Sequence, residues 1–271
     1  MAGAEIPMNI YSLSIPAATI LFFFVYSLLL WETGDRVRAK HHMFNGIQVV
    51  MMIGVVGLLF TVANYIIHNI FGIAPTVYDA WNALDTASKE FEMIYRKCVD
   101  WILFIARSRA VVAIIPFVSP LSDVIGSATM WEVWAFSFAS TTFLALSWFA
   151  IILTYLQPWL LGFGAALTVS DRLRLVGGGM LAILLIMGPA ITGLAQYTYA
   201  NTIQNSDFNN VPAAQEWYAV DPVNIAARAD PAANTAIHVT IFSVVTMVIA
   251  GLLTAGTSAA LGSVAIMLRP I

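Results

Sequence analysis

Charge is what this sequence most lacks. Only 10% of its 271 residues are Asp, Glu, Lys or Arg, while 60% are hydrophobic. A soluble domain is about half apolar and about a quarter charged, so these few charges cannot cover a water-facing surface. With a mean hydropathy of +0.83, the composition reads as an all-α polytopic membrane protein. A net charge of -3 argues against a surface that coats nucleic acid, though not against local basic patches. Cysteine is nearly absent. The single Cys98 excludes an internal disulfide and any thiolate metal cluster. There is no Walker A loop, no GxSxG, no HExxH and no paired-cysteine metal site. No catalytic, cofactor or metal site is therefore expected. The start, MAGAEIPMNI, lacks a basic n-region and reads as an uncleaved outer tail.

Long apolar runs are what is present. A helix needs about 20 residues, at about 1.5 Å each, to cross a hydrocarbon core of about 30 Å. Five stretches meet this, about 14–31, 47–71, 131–156, 175–197 and 236–268. Trp31, Trp131, Trp134, Tyr155 and Tyr197 fall near their ends, where amphipathic rings favour the headgroup layer. Arg36, Arg38 and Lys40 form the short first loop, Arg172 and Arg174 lie between the third and fourth spans, and Arg269 follows the last. With five crossings these clusters share one side. The positive-inside rule then sets the N-terminus outside the cytoplasmic membrane and the C-terminus inside.

Residues 75–121 break the pattern. Val77, Trp81, Leu84, Ser88, Phe91, Tyr95, Cys98, Ile102 and Ile105 alternate in steps of four and three, a heptad seam. Pro75 suits a first helical turn. A long amphipathic outer helix is expected. Arg107 and Arg109 would each cost about 2.5–3.5 kcal/mol at the bilayer centre, and no acid in Ile102–Leu121 is placed to pair with them. The helix is therefore expected to end at the arginines. AVVAIIPFVSPL would return as a short extended or re-entrant piece on the outer leaflet. Trp81, Phe91, Arg107, Arg109 and Pro116 are the candidate outer assembly or pore contacts. Reading Trp101–Ser119 as a sixth span is the alternative, and it would separate Arg36 from Arg172 across the membrane. Residues 198–235 read as a polar outer loop with at most short helices. Residues 1–271 together read as a single membrane domain.

Small residues carry the packing signal. Gly177, Gly178 and Gly179 open the fourth span, and Pro189 within it predicts a kink. Gly256 and Gly262 lie in the fifth, at spacings that let helix backbones approach. Asn64, Thr61, Thr141 and Thr142 are the only hints of a midplane polar site, as a small-molecule transporter or permease subunit would need. His41 and His42, being adjacent, point about 100° apart on a helix and make a poor metal pair. No carboxylate lies deep in any predicted span, which argues against a proton-coupled pump.

The most distinctive run is LQPWLLGFGAALTVSDRLRLVGGGMLAILLIMGPAIT, Leu156 to Thr192. A proline-led apolar piece is followed by an arginine turn, a glycine triplet and a small-residue span. It resembles the polytopic inner-membrane subunit of type IV secretion and conjugation systems. Archaeal versions, including the CedA component of the crenarchaeal DNA-import system, are the nearest in pattern. The resemblance covers about Pro75 to Pro189 and rests on pattern rather than on catalytic residues. It implies a non-enzymatic channel or scaffold subunit of a DNA-translocation machine. Such a subunit would be homo-oligomeric in membrane lipid and energised by a separate hexameric conjugation-type ATPase. Small pilin-like or two-span membrane proteins would be its partners, and single- or double-stranded DNA its cargo. Arg36, Arg38, Lys40, Arg172 and Arg174 would then be the inner basic residues able to face DNA. Epitope tags on the two ends test the layout. Five crossings place the N-terminal tag outside and the C-terminal tag inside, whereas protease protection of both tags on one side rejects an odd number of crossings.

Overall fold

The computed structural model describes residues 10–69, 82–114, 119–170, 172–212 and 222–267. Every regular element among them is an α-helix. They are α1 (Ile10–Glu32), α2 (Arg36–Asn69), α3 (Leu84–Ile114), α4 (Ser119–Ala128), α5 (Met130–Leu167), α6 (Arg174–Thr202), α7 (Ser206–Asn209) and α8 (Pro222–Met267). Among the described residues, four helices have a stretch long and apolar enough to cross a membrane: Arg36–Leu59, Met130–Gln157, Arg174–Thr202 and Asn224–Ser263. α1 adds a shorter apolar stretch, Pro16–Glu32. The chain is an all-α, multi-pass membrane protein. It forms two compact units. The first holds Met1–Leu84, Ile152–Thr192 and Val248–Ile271, and the second holds Asp85–Ile151 and Gly193–Met247.

In the first unit, α1 and α2 make a hairpin whose turn the sequence specifies locally. Gly34 has φ +87°, a left-handed value that disfavours any residue with a Cβ. Its N–H donates to Trp31 O (3.2 Å) and the Asp35 N–H to Leu30 O (3.0 Å), the paired bonds of a Schellman cap. Asp35 then caps α2 by accepting from the Arg38 N–H (3.3 Å). Ser27 Oγ donates to Ala39 O across the hairpin (2.7 Å). Val49 of α2 meets Ala165 and Val169 at the end of α5, with Ile20, Phe23 and Ile53 around them.

The glycine triplet seats α6 between two neighbours. A Cβ on Gly177 would lie 2.6 Å from Gly164 O, and one on Gly178 would lie 2.7 Å from Ser258 O. Both neighbours are backbone, so neither can give way. Ser258 Oγ also donates to Leu175 O (3.3 Å). Gly179 meets only Ser258 Oγ, at 3.4 Å, and Gly262 meets Leu175 Cδ2 at 3.2 Å. Gly256 differs from the expectation, because nothing lies within 4 Å of its would-be Cβ. It is exposed. Pro189 sits inside α6 without ending it.

In the second unit, α3 packs along α4 and α5 in antiparallel register. Ser88 Oγ meets Ser147 Oγ at 3.2 Å, Phe91 faces Phe143 at 6.1 Å and Trp101 stacks on Phe136 at 5.6 Å. Farther along, the Arg109 guanidinium covers Gly126, so that a Cβ there would lie 2.7 Å from Arg109 Cζ. One partner number rises as the other falls. The buried face of α3 is Leu84, Ala87, Phe91, Ile94, Cys98, Trp101, Ile105 and Ser108. The predicted seam shares Leu84, Ser88, Phe91, Cys98 and Ile105, and its two later alternate positions sit one residue off. Ser88 is buried beside Ala87, but Ile94 and Trp101 take the places expected for Tyr95 and Ile102.

Several boundaries differ from the sequence reading. Arg36, Arg38 and Lys40 stand in the first turns of α2 rather than in a loop, because Asp35 starts the helix. α3 does not stop at Arg107 and Arg109 but continues to Ile114. Ala110–Ile114 contains nothing that breaks a helix, and the next proline, Pro116, lies outside the described residues, as does Trp81. Pro120 falls in the first turn of α4, where a missing N–H costs nothing. The expected loop over 198–235 is largely helical. α6 extends to Thr202, Asn205 caps α7 by accepting from the Asp207 N–H (2.9 Å), and α8 begins at Pro222 because the stretch is alanine-rich. At 46 residues, α8 is about 69 Å long, more than twice a hydrocarbon core of about 30 Å.

Alanine substitutions separate packed from free glycines. Gly177→Ala is expected to lower stability by about 1–3 kcal/mol through overpacking. Gly256→Ala should raise it by up to about 1 kcal/mol through helix propensity alone. Thermal unfolding of the detergent-solubilised protein measures both signs.

Candidate functional site

Two regions gather the charged and polar side chains that could meet a cargo or partner. The first is the basic rim of the first unit. Among the described residues, the charges of that unit sit at its two turns: Glu32, Asp35, Arg36, Arg38 and Lys40 at one, Arg172 and Arg174 at the other. Arg36, Arg38, Lys40 and Arg172 are exposed and Arg174 is half-buried. Arg36 lies over the Trp31 ring at 5.5 Å, a cation–π contact that holds the guanidinium at the hairpin tip. Arg38 pairs with Asp35 at 3.3 Å. The rim is net positive even with Glu32, Asp35 and Asp171 counted. The turns do not form one cluster. The α5 end packs near Val49, and Arg36 is about 20 Å away along α2.

The second region is a pair of adjoining cavities in the second unit. The larger, about 560 Å³, is lined by Trp101, Ser206, Asp207, Asn210, Arg228 and Pro231 among others. The smaller, about 270 Å³, is lined by Lys97, Asp100, Leu103, Phe104 and Arg107. Val211 and Pro212 border both, so the segment after α7 is the shared wall. That wall is pinned to α3. Trp101 Nε1 donates to Phe208 O at 2.8 Å, Lys97 Nζ donates to Asn209 O at 3.1 Å, and Phe208 is fully buried. Mixed charge in an open polar cleft can hold a peptide segment or a zwitterionic group. Among the described residues no group of three or more His, Cys, Asp or Glu is placed to hold a metal.

The predicted outer contacts scatter. Phe91 is fully buried, so it is a core residue and not an assembly surface. Its ring packs on Phe143. Arg107 and Arg109 are exposed but lie on different sides of α3, one at the smaller cavity and one over Gly126. Burial raises the Glu90 carboxyl above its ordinary range and pushes the Cys98 thiol far up, so Cys98 is no nucleophile. Sequence reasoning missed Glu132, which is buried with Oε2 lacking a hydrogen-bond partner. A lone acid in the apolar run TMWEVW was its signal. It also missed Phe208, the lone aromatic in NSDFNN.

No protein-family model, curated protein or solved structure matches the chain.

The pinned wall yields a direct test. Trp101→Phe keeps the ring stack but removes the bond to Phe208 O. It is expected to cost about 1 kcal/mol and to speed amide exchange through residues 205–210, read by mass spectrometry.

Proposed function

We propose that this chain is a non-enzymatic channel or scaffold subunit of a DNA-translocation machine in the cytoplasmic membrane, driven by a separate hexameric ATPase. The observation that supports it is the first unit. Its apolar helices carry no formal charge between their turns, are locked by backbone contacts at Gly177 and Gly178, and join at two separate turns that are each net positive. Such a unit suits a rigid frame around or beside a passage. Exposed cations at its margin attract phosphate by Coulomb force and counterion release. The positive-inside rule turns that rim to the cytoplasm, with the N-terminus outside and the C-terminus inside. There it would face an ATPase and its DNA.

A small-molecule permease fits less well. Thr61, Thr141 and Thr142 donate their hydroxyls to carbonyls of their own helices, Gly57, Ser137 and Phe138. The side chains of Asn64 and His68 lie outside the described residues.

Binding of fluorescent single-stranded and duplex oligonucleotides to the nanodisc-reconstituted protein tests the proposal. The wild type should bind with an affinity that falls with salt. For each phosphate that Arg36→Gln/Arg38→Gln/Lys40→Gln or Arg172→Gln/Arg174→Gln leaves without a cation, the logarithmic salt slope should drop by about 0.9 on duplex and about 0.7 on single strands. Equal slopes for wild type and both variants would remove DNA from the reading.

A further inference from the structure

Glu132 is the one charged residue in α5, and it is only 5% exposed. Among the described residues its Oε2 has no hydrogen-bond partner. A buried carboxylate left short of partners is costly, and it is relieved by a proton, a cationic side chain or a bound cation. The start of a helix does not fill the need here. α4 runs into α5 through Thr129, and the Val133 N–H already donates to Thr129 O (3.1 Å). No cationic side chain fills it either. The group that acts on Glu132 electrostatically is a second acid, Asp230 of α8. Neither acid is in an ion pair among the described residues. Arg228 stands two residues from Asp230 but about 200° round the helix, where it lines the larger cavity. The side chains that α8 buries beside Asp230, Ala229, Ala232 and Ala233, carry no donor.

Both acids belong to the second unit. They lie near the first ends of apolar stretches able to cross a membrane, Met130–Gln157 and Asn224–Ser263, where an ionisable group points to function rather than packing. Asp230 is exposed, so the pair is open to water on one side and closed at Glu132. A proton would suit Glu132 alone and gives Asp230 no part. A cation held between the two carboxylates uses both, gives Oε2 a partner and offsets two like charges with one ion. Carboxylate oxygens are hard donors, which suit calcium or magnesium rather than softer transition metals. Magnesium needs only one or two carboxylates with water at its other positions, and calcium tolerates an irregular shell. With two protein ligands rather than three or more, the affinity is modest.

We propose that Glu132 and Asp230 hold a hard divalent cation between α5 and α8, with water completing its shell. The ion ties the start of α5 to α8 and removes the charge that burial penalises. The site is independent of any cargo or ATPase. Terbium(III), a luminescent stand-in for calcium that tryptophan excites, reports it, because Trp131 and Trp134 flank Glu132. Wild-type protein in phosphatidylcholine nanodiscs should show saturable terbium luminescence. Calcium should displace it with a Kd of about 0.1–1 mM, the range of weak calcium sites, and should raise the unfolding temperature. Asp230→Asn should weaken binding at least about tenfold, since ligand charge sets affinity, and Glu132→Gln should abolish it. Asp123→Asn, at an exposed acid of the same unit, should bind as the wild type does. The fold of each variant is checked by a Cys98 that stays buried and closed to thiol reagents. Three results would each overturn the proposal: no saturable binding by the wild type, Asp230→Asn binding as tightly as the wild type (a proton on Glu132 alone), or Asp123→Asn losing binding as fully as Glu132→Gln.

Discussion

An ion taken out of water into hydrocarbon loses several kilocalories per mole of solvation, and nothing in a lipid tail returns them. That single penalty arranges this chain. In the first unit, uninterrupted apolar helices are closed by turns that hold every charge among its described residues. In the second unit, α3 sets charges on one face and Phe91, Cys98 and Trp101 on the other. Exposed ion pairs such as Arg96 with Glu92, at 2.6 Å, need no burial to persist and add little to stability. What they do is keep that face of α3 wet.

Within that arrangement the helices are joined by shape. Hydrocarbon offers no hydrophobic drive between apolar helices, so close backbone approach and side-chain interdigitation must supply the attraction. Gly164, Gly177 and Gly178 give the first unit this proximity. The second unit uses stacked rings instead, with Trp101 on Phe136 nearly parallel at 3°. Polar groups inside both are mostly satisfied within their own helices. Thr192, Thr198, Thr240, Ser243 and Thr254 each donate to a carbonyl three or four residues back. A hydroxyl used this way can face an apolar neighbour at little cost.

Fold class was legible because it depends on composition and length, which survive any error of boundary. The spans came from hydropathy, and among the described residues four helices are long and apolar enough to cross, with a shorter fifth. Boundaries were less legible because hydropathy stops at the first charge while a helix stops only where its backbone must. Asp35 begins α2 before its basic residues, and Ala226 to Ala236 continue α8 through a polar stretch. The α3 seam was half right because alternating steps of three and four can be phased two ways on one helix. The large ring at Trp101 decides the phase, since its burial removes far more surface than Ile102 would. Glu132 and Phe208 were invisible for a different reason. Each stands out locally only as a lone residue of its kind, an acid in TMWEVW and an aromatic in NSDFNN, and its burial is decided by the tertiary packing rather than by that local pattern. The basic rim was legible as residues but not as geometry, because the distance along α2 depends on where α5 ends.

The only sulfhydryl of the chain sits at the centre of α3, sealed from solvent and resistant to ionising. The ionised sulfur is the nucleophile that attacks oxidants and low-molecular-weight disulfides, and burial keeps Cys98 in the protonated form. Once folded, the protein can therefore hold α3 on either an oxidising or a reducing face of a membrane without this sulfur forming stray cross-links.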